Sequence, residues 1–314
     1  MTTKHTKSLS RSIWTELVKG AKKRGEDPNF VLMRFACERL LYRLSVSRHA
    51  GKFVLKGAML FAVWTEHPHR STKDLDLLGY GNPDDLLNVF REICALQVSP
   101  DDALRFDPNG VRLEPIRQEE EYDGRRVLLR GSLGTLPVNV QVDIGFGDPV
   151  SPEPVELQYP VLLEQLPSPR LRTYPPETVI AEKFEAMVKL GLANSRMKDF
   201  YDVWVLSRSH SFNLNALLTA ARATFERRGT PWPGSAPLAL TSAFAADASK
   251  LTQWQGFLKR TKASERPALE NVIQRLQTFL GALYADAMAG EHRLWSTDAS
   301  NWVSPAHPGN LPPG

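Results

Sequence analysis

The sequence has few of the features that mark several common classes of protein. Its 314 residues include two cysteines, Cys37 and Cys94, and no CxxC pair, so we expect neither a zinc knuckle nor a secreted disulfide scaffold. The apolar runs are short, as at residues 58–64, and far below the roughly 20 residues that a membrane span needs. Residues 1–7 are polar and lack the apolar core of a signal peptide. We therefore expect a cytoplasmic protein with no membrane segment.

The chain also lacks a large excess of charge of either sign. The chain has 39 Lys and Arg against 35 Asp and Glu, a net charge of +4, and 42% hydrophobic residues, which is typical of a globular protein. A pI near 9.0 leaves a nucleic-acid partner open, but this small excess is weak evidence alone. His5, His67 and His69 show no metal-ligand spacing with either cysteine. The length allows about two domains of roughly 150 residues.

The hydrophobic patterns predict an α+β chain, with a mixed β-sheet core and flanking helices followed by a mainly helical C-terminal half. We expect the first ten residues to be mobile and the proline-rich stretch 149–176 to be an extended connector on the surface. Four segments are predicted: N-terminal helices in 1–48, a catalytic α/β core in 49–176, a helical domain in 177–303 and a disordered tail in 304–314.

Three carboxylates stand out by their positions. Asp74 and Asp76 are two residues apart on a predicted strand, so both side chains should leave the same face. Asp143 lies on the polar face of another predicted strand, 138–144, whose other face is Val and Ile. If the strands are neighbours, the carboxylates converge and need a cation, and oxygen ligands suit Mg²⁺ or Mn²⁺. An isolated Asp-x-Asp is more often a solvated strand end, so this prediction needs support from other residues.

The segment before these aspartates gives that support. Residues 53–58 read as a short strand that ends in a tight turn at Gly57 and opens into a helix. Such a turn presents backbone N–H groups to a phosphate, and Lys56 adds a cation beside it. Arg70 and Thr72 precede Asp74 on the loop edge and are further candidates for phosphate contact. The order of strand, glycine turn and aspartates therefore favours a nucleotide site.

Two later segments carry charge on apolar helices. Lys183 falls on a mostly apolar face of the helix predicted from Glu177, either as a phosphate ligand or as a side chain that extends to the surface. Asp199 and Asp202 are i,i+3 on a strongly apolar helix, and buried carboxylates need partners, for which Lys183 or Arg196 could serve. For Asp202, a structural salt bridge is an equal alternative to a role in the site.

This order of motifs resembles the nucleotidyltransferase superfamily, and within it the AbiEii/AbiGii-type toxin family, which includes the MenT toxins. The resemblance extends over roughly residues 30–260. The segments that carry it are Lys56–Leu60, His69–Leu77, Val142–Asp148, Glu177–Lys183 and Ser195–Asp202.

The resemblance implies a nucleotidyltransferase fold and a Mg²⁺-dependent toxin of a toxin–antitoxin system. The toxin would transfer NMP from an NTP to an acceptor hydroxyl, with the 3′ end of tRNA as the expected acceptor, and so block translation. A cognate antitoxin encoded nearby is implied as a partner, but direct binding is not. The implied catalytic residues are Asp74, Asp76, Asp143, Lys183 and Asp199. The first three are the metal ligands, and the nucleotide-binding residues are Lys56, Gly57, Ala58, Arg70, Thr72, Lys183 and Asp202.

One departure from the family pattern keeps other functions open. Ala58 stands where the family usually has Gly or Ser, so any hydrogen bond from a serine hydroxyl is lost. A catalytically silent protein that binds RNA or a partner is one alternative, and a small-molecule nucleotidyltransferase is another. For RNA, basic clusters in the N-terminal helices, in Arg222–Arg228 and in Lys259–Arg266 could follow a phosphate backbone, or could be ordinary solvated helix faces.

Overall fold

The computed structural model describes residues 3–65, 74–116, 124–261, 263, 265–285 and 293–304. The described residues divide into two compact units, of which the first runs to residue 174 without 149–153, and the second takes 149–153 and the described residues from 175 to 304. In the described residues, the helices and strands of the first unit lie between Thr3 and Thr173, and those of the second lie between Pro176 and Val303. The helices are α1 Thr3–Arg24, α2 Pro28–Val46, α3 Phe61–Trp64, α4 Leu86–Ala95, α5 Pro176–Leu190, α6 Met197–Ser209, α7 Leu214–Arg227, α8 Ser242–Ala246, α9 Ala248–Thr261 and α10 Leu269–Tyr284.

The first unit is built on one mixed β-sheet. Its strands are β1 Phe53–Lys56, β2 Leu75–Gly79, β3 Leu104–Phe106, β4 Arg112–Pro115, β5 Arg125–Leu133, β6 Leu136–Phe146, β7 Val155–Gln158 and β8 Arg170–Thr173. The strand order is β3-β5-β6-β2-β1-β8-β7, and β4 also pairs with β5. β2 runs parallel to β6 and β1 runs parallel to β8, whereas the other neighbouring pairs are antiparallel. The predicted mixed sheet with flanking helices is therefore confirmed. Two further strands, β9 Leu294–Ser296 and β10 Asn301–Val303, belong to the second unit.

Strand β6 shows why one face of this sheet is the core. Its alternate residues Val138, Val140, Val142 and Ile144 are all buried, and α2 contacts this strand. The residues between them are polar and stay partly exposed, as the period of two residues in a strand requires. The alternation predicted for this segment is confirmed, and it leaves the polar face of β6 available for a site.

Helix α2 is fixed at its start and by one buried ion pair. Asp27 caps it by accepting a hydrogen bond from the backbone N–H of Asn29 at 2.8 Å, and Pro28 follows as its first residue. Arg43 donates two hydrogen bonds to Asp102, of 2.7 and 2.9 Å, with both side chains buried. Loss of either partner would leave a buried charge unpaired, so this pair fixes the helix beside the start of β3.

The N-terminal residues, which we expect to be mobile, are helical from Thr3, where α1 begins. One prediction in the first unit is wrong. The stretch 149–176 was expected to be an extended surface connector, but it supplies β7 and β8, and β8 lies between β1 and β7. The side chain of Leu171, on one face of β8, is buried. Directly after β8, the backbone N–H of Tyr174 donates to the carbonyl of Leu55 on β1 at 2.9 Å.

The described part of the second unit is helical except at its end. There β9 and β10 form an antiparallel hairpin, which is compatible with the mainly helical half that the sequence predicts. The hairpin packs Trp295 and Trp302 on Phe279 of α10, with ring centroids 4.8 and 5.7 Å apart. The predicted disordered tail lies outside the described residues, apart from Ser304.

Both cysteines are buried and unpaired, as the sequence indicated. Burial raises the pKa of each thiol, Cys37 and Cys94, to about 12, so both stay protonated near neutral pH. Neither is therefore suited to act as a nucleophile or a metal ligand. Separately, none of the helices in the described segments is long and apolar enough to cross a membrane.

Candidate active site

Charged residues form one row across five neighbouring strands of the sheet. Lys56 on β1 pairs with Asp76 on β2, Asp76 pairs with Asp143 on β6, Asp143 pairs with Arg126 on β5, and Arg126 pairs with Glu114 on β4. Residues in register on neighbouring strands point to the same face, a strand spacing of roughly 4.8 Å apart. We call this set the charged row. It places two of the predicted carboxylates side by side.

The glycine turn packs directly against the charged row. Gly57 has a φ of +76°, in the left-handed region that favours glycine. A Cβ atom built on Gly57 would lie 2.1 Å from Oδ2 of Asp76, so no side chain has room there. The residue type is thus fixed both by backbone conformation and by the close approach of the carboxylate. The turn that follows β1 is confirmed and brings its backbone beside Asp76.

The helix after this turn is shorter than expected. Gly57–Leu60 forms a 3-10 turn, and α3 continues it for one further turn. A helix of this length has little macrodipole, so any contribution to phosphate binding comes from the backbone N–H groups of the turn. Ala58 lies within the 3-10 turn and contributes no hydroxyl group.

Asp143 is held by its neighbour in the charged row. Arg126 donates from Nε to Oδ1 of Asp143 and from Nη2 to Oδ2, both at 2.9 Å. Gln141, on the same face of β6, places its Nε2 3.3 and 3.4 Å from the two oxygens. The hydrogen bonds to Asp143 raise the pKa of Arg126, and the charges of Asp143, Asp74 and Glu114 act in the same direction. Asp143 is thus a bidentate partner of a guanidinium group.

Lys56 is held beside the turn by a second carboxylate. Its Nζ donates to Oδ2 of Asp148 at 2.9 Å and lies 5.3 Å from the centroid of the Tyr174 ring. The side chains of Lys56 and Asp148 are 17% and 9% exposed, so this pair is largely screened from water. The ammonium group therefore has a defined position at the end of β1.

The described residues include suitable oxygen ligands for a divalent cation, but these ligands are not close enough together to form a complete metal site. Carboxylate oxygens on neighbouring strands are the hard ligands that Mg²⁺ and Mn²⁺ take, so the donor chemistry fits. Within the described part of the chain, no group of three or more His, Cys, Asp or Glu side chains is close enough to hold a metal. Asp74 is exposed and lies one residue before β2, so it is not on the strand where the sequence placed it together with Asp76. Arg70 and Thr72 lie outside the described residues.

The predicted residues of the second unit form a cluster of their own. Nζ of Lys183 on α5 donates to Oδ1 of Asp199 at 2.5 Å and to Oδ2 of Asp202 at 2.9 Å, both on α6. The side chain of Asp202 is fully buried, whereas Asp199 and Lys183 are 8% and 14% exposed. Of the two partners that the sequence offers for these buried carboxylates, Lys183 and Arg196, Lys183 makes these hydrogen bonds. The cluster joins α5 to α6 by ion pairs with little contact with water.

One predicted basic cluster, Arg222–Arg228, is partly engaged inside the second unit. Arg228 donates to Oε2 of Glu185 at 2.8 Å and lies 3.5 Å from Oε1 of Glu182. Arg222 lies over the ring of Trp232, 4.9 Å from its centroid. These two side chains are therefore less available to a nucleic acid than their sequence positions suggested.

Two polar partners at the site were missed from the sequence, namely Arg126 and Asp148. Arg126 carried a usable signal, because the two-residue loop Gly134–Thr135 joins β5 to β6 and fixes their register. Counting back from this turn along both strands puts Arg126 opposite Asp143. Asp148 follows β6 without a periodic pattern, so only the folded chain brings it to Lys56.

Comparison with known proteins gives one family. The model of the "Nucleotidyl transferase AbiEii toxin, Type IV TA system" family matches residues 39–280, which covers most of the chain. A search of curated proteins finds no significant match. Among solved structures, JHP933 from Helicobacter pylori has 14% identity and a TM-score of 0.46, over 78% of this chain and 88% of that one. A second H. pylori protein, provisionally named a nucleotidyltransferase, has 16% identity and a TM-score of 0.43, over 78% and 90%.

Proposed function

Because this chain belongs to the AbiEii family of nucleotidyltransferase toxins, we propose that it transfers a nucleotidyl group from an NTP to an acceptor hydroxyl. In this reaction the acceptor oxygen bonds to the α-phosphorus, the bond from that phosphorus to the bridging oxygen of the β-phosphate breaks, and pyrophosphate leaves. The acceptor hydroxyl loses its proton to a base or to water. Positioning and charge neutralisation dominate such phosphoryl chemistry, so the fixed charges of the site matter most.

One observation carries this proposal. Asp76 and Asp143 are register partners on the parallel strands β2 and β6, and the Gly57 turn packs against Asp76. Two carboxylates at this spacing repel each other unless a positive charge lies beside them. A turn of backbone N–H groups at the same place suits a phosphate. Carboxylates and a phosphate-binding turn together are the requirements of metal-assisted nucleotidyl transfer.

The residues of the first unit have distinct roles in the proposed reaction. Asp76 and Asp143, with Asp74, would hold Mg²⁺ or Mn²⁺, which when bound offsets the negative charge that develops on the reacting phosphate. The backbone N–H groups of Gly57 and Ala58 would donate hydrogen bonds to a phosphate oxygen, and Lys56 would add its positive charge nearby. Arg70 and Thr72 are proposed as further phosphate contacts from their sequence positions alone.

Lys183 and Asp199 enter the proposal through the family motifs. The resemblance assigns them to the triphosphate or to the attacking hydroxyl, and Asp202 to nucleotide binding. In the structure the Lys183 ammonium group donates hydrogen bonds to both carboxylates, which fix its position. A phosphate would bind Lys183 in competition with these carboxylates. Because Asp202 is fully buried, we assign it the structural part of this cluster and Asp199 the functional part.

For the acceptor we propose RNA, and in particular the 3′ end of tRNA, which the family resemblance favours. Exposed basic residues on two helices offer the electrostatic attraction that a phosphate backbone needs. They are Lys19, Lys22 and Lys23 on α1 and Lys259 and Arg260 on α9. The family is one of type IV toxin–antitoxin systems, so a cognate antitoxin is the proposed biological partner.

The test is to incubate the protein with Mg²⁺, total RNA and each α-labelled NTP in turn, with small-molecule acceptors in parallel. We expect label in RNA for the wild type and almost none for Asp74→Asn, while the exposed Asp85→Asn control stays active. Transfer to small acceptors alone would contradict an RNA substrate. RNA binding without label transfer, and without thermal stabilisation by NTP plus Mg²⁺, would show a catalytically silent protein.

A further inference from the structure

The charged row contains a residue to which the proposed reaction gives no role. Arg126 donates to both oxygens of Asp143, and the pair is only partly exposed, 35% for Arg126 and 21% for Asp143. A bidentate guanidinium–carboxylate pair is among the stronger ion pairs in proteins because its two hydrogen bonds share one plane. One of the carboxylates that a metal needs is therefore already bound by a cation.

A guanidinium group and a divalent cation make competing demands on the same carboxylate. Both are positive, and a metal that shares an oxygen with Arg126 is repelled by it at short range. A carboxylate bound to a metal also directs its lone pairs to the metal, which weakens the in-plane pair with Arg126. Binding of metal to Asp143 thus favours release of the guanidinium.

The charged row offers Arg126 another partner. Glu114 on β4 is its register partner on the side away from Asp143, and Glu114 is exposed. The charge of Glu114 already acts on Arg126, since it contributes to the raised pKa of that side chain. Arg126 therefore lies between two carboxylates, Asp143, which belongs to the proposed metal site, and Glu114, which does not.

We propose that Arg126 is the displaceable counter-ion of the metal site: it pairs with Asp143 in the metal-free protein and moves towards Glu114 when a divalent cation binds. This inference rests on the proposed function for the existence of the metal site. Arg126 here is a positioning residue that sets metal affinity and keeps Asp76 and Asp143 from repelling each other before the metal arrives.

The experiment measures binding of Mn²⁺ alone, without NTP or RNA, by electron paramagnetic resonance of the free ion. The variants are Arg126→Met, Asp143→Asn and, as matched control, Arg130→Met. Arg130 lies on the same strand and face as Arg126 but is paired with Asn139 rather than an acid. We expect Arg126→Met to bind Mn²⁺ about tenfold more tightly than the wild type, the control to be unchanged and Asp143→Asn to lose binding.

Two kinds of failure can be told apart. If the wild type binds Mn²⁺ through Asp143 but Arg126→Met binds it equally or more weakly, Arg126 does not compete and this inference alone is overturned. If Asp143→Asn binds like the wild type, the proposed metal site itself is wrong. A second measurement does not depend on the folding of an Arg126 variant. On addition of Mg²⁺ to the wild type, the NMR signal of the Arg126 Nε–H group should shift. An unchanged signal would contradict the movement of Arg126 from Asp143 towards Glu114.

Discussion

At the scale of single residues, the Asp76 carboxylate packs so closely against Gly57 that residue 57 has no room for a Cβ atom. The positive φ of Gly57 and the position of the Asp76 carboxylate both exclude a side chain at residue 57. Because Asp76 is paired in register with Asp143, a shift of Asp76 would also disturb the next carboxylate in the charged row. The turn therefore sets the position of the proposed metal ligands.

Gly57→Ala should consequently damage activity far more than folding. The new methyl group must push the Asp76 carboxylate aside, and a displacement of this kind in a catalytic site lowers turnover by roughly 100-fold. Backbone strain and overlap should lower the free energy of unfolding by about 1–3 kcal/mol. Label transfer and thermal unfolding of the purified variant measure the two effects.

Gly25→Ala is the matched control for backbone strain. Gly25 also has a positive φ, +66°, but a Cβ atom there would meet nothing within 4 Å. We expect this variant to lose about 1 kcal/mol of stability and to keep full activity. Equal turnover in the two variants would mean that contact with Asp76 does not matter.

Residue types and faces were predictable where local periodicity determines them. Asp76 and Asp143 were assigned to polar faces because a strand alternates every two residues, and both are in place. Arg126 was missed because an arginine in a half-exposed strand has no distinctive pattern of its own. Its role depends on which residue lies opposite, and that information lies in the two-residue turn between β5 and β6.

At the scale of secondary-structure elements, Lys183 joins α5 to α6 through two carboxylates. Asp202 is fully buried and Lys183 is nearly so, so removal of the lysine leaves two negative charges away from water. Breaking a buried pair in this way typically costs about 3–5 kcal/mol, more than a surface ion pair contributes. The cluster thus stabilises the helix pair whether or not it also binds substrate.

A double-mutant cycle tests this coupling. Lys183→Met should destabilise the protein strongly, and adding Asp202→Asn should cost less in that background than in the wild type, because one of the uncompensated charges is then gone. We expect a coupling free energy of at least about 1 kcal/mol from urea unfolding. Lys198→Met, an exposed lysine on α6, should change little. Additive losses would contradict a coupled cluster.

The β8 strand was not predictable by the same means as β6. It is four residues long and lies in a proline-rich stretch, so too few residues alternate for a period to be seen. Its outward residues Arg170 and Arg172 are also typical of a loop. Its place in the sheet depends on pairing with β1 and β7, which are far apart in the sequence.

Hydrogen exchange can verify this strand directly. Amides of residues 170–174 should exchange on average at least about a hundredfold more slowly than those of the irregular segment 160–168, because strand amides are hydrogen-bonded in the sheet. Leu162 and Leu166 are left out of this comparison, since their N–H groups donate to Glu38 and to the carbonyl of Leu163. The N–H of Tyr174, which donates to Leu55, is the most informative single site. Equal exchange in both segments would restore the interpretation of a surface connector.

At the scale of the whole molecule, the chain combines a sheet unit that carries the proposed metal ligands with a unit that carries the Lys183 cluster. The family was identifiable from sequence because its motifs recur in order, and the family match over residues 39–280 confirms it. The ion pairs at the site were only partly predictable, because Arg126 has to be counted back from the turn between β5 and β6, and Asp148 meets Lys56 only through contacts between distant parts of the sequence. The near-neutral net charge hides this arrangement, since opposite charges are interleaved along the charged row.

The most direct test of the central claim is to follow the α- and γ-phosphates of the NTP separately, in the wild type and in Asp143→Asn. With α-labelled and γ-labelled NTP, Mg²⁺ and RNA, the account predicts that the wild type incorporates the α label and releases the γ label as pyrophosphate in equal amount. Asp143→Asn should do neither, while Asn139→Ala, exposed on the same face of β6, should behave as the wild type. Transfer of the γ label to the acceptor, or unchanged α transfer by Asp143→Asn, would contradict nucleotidyl transfer at the charged row.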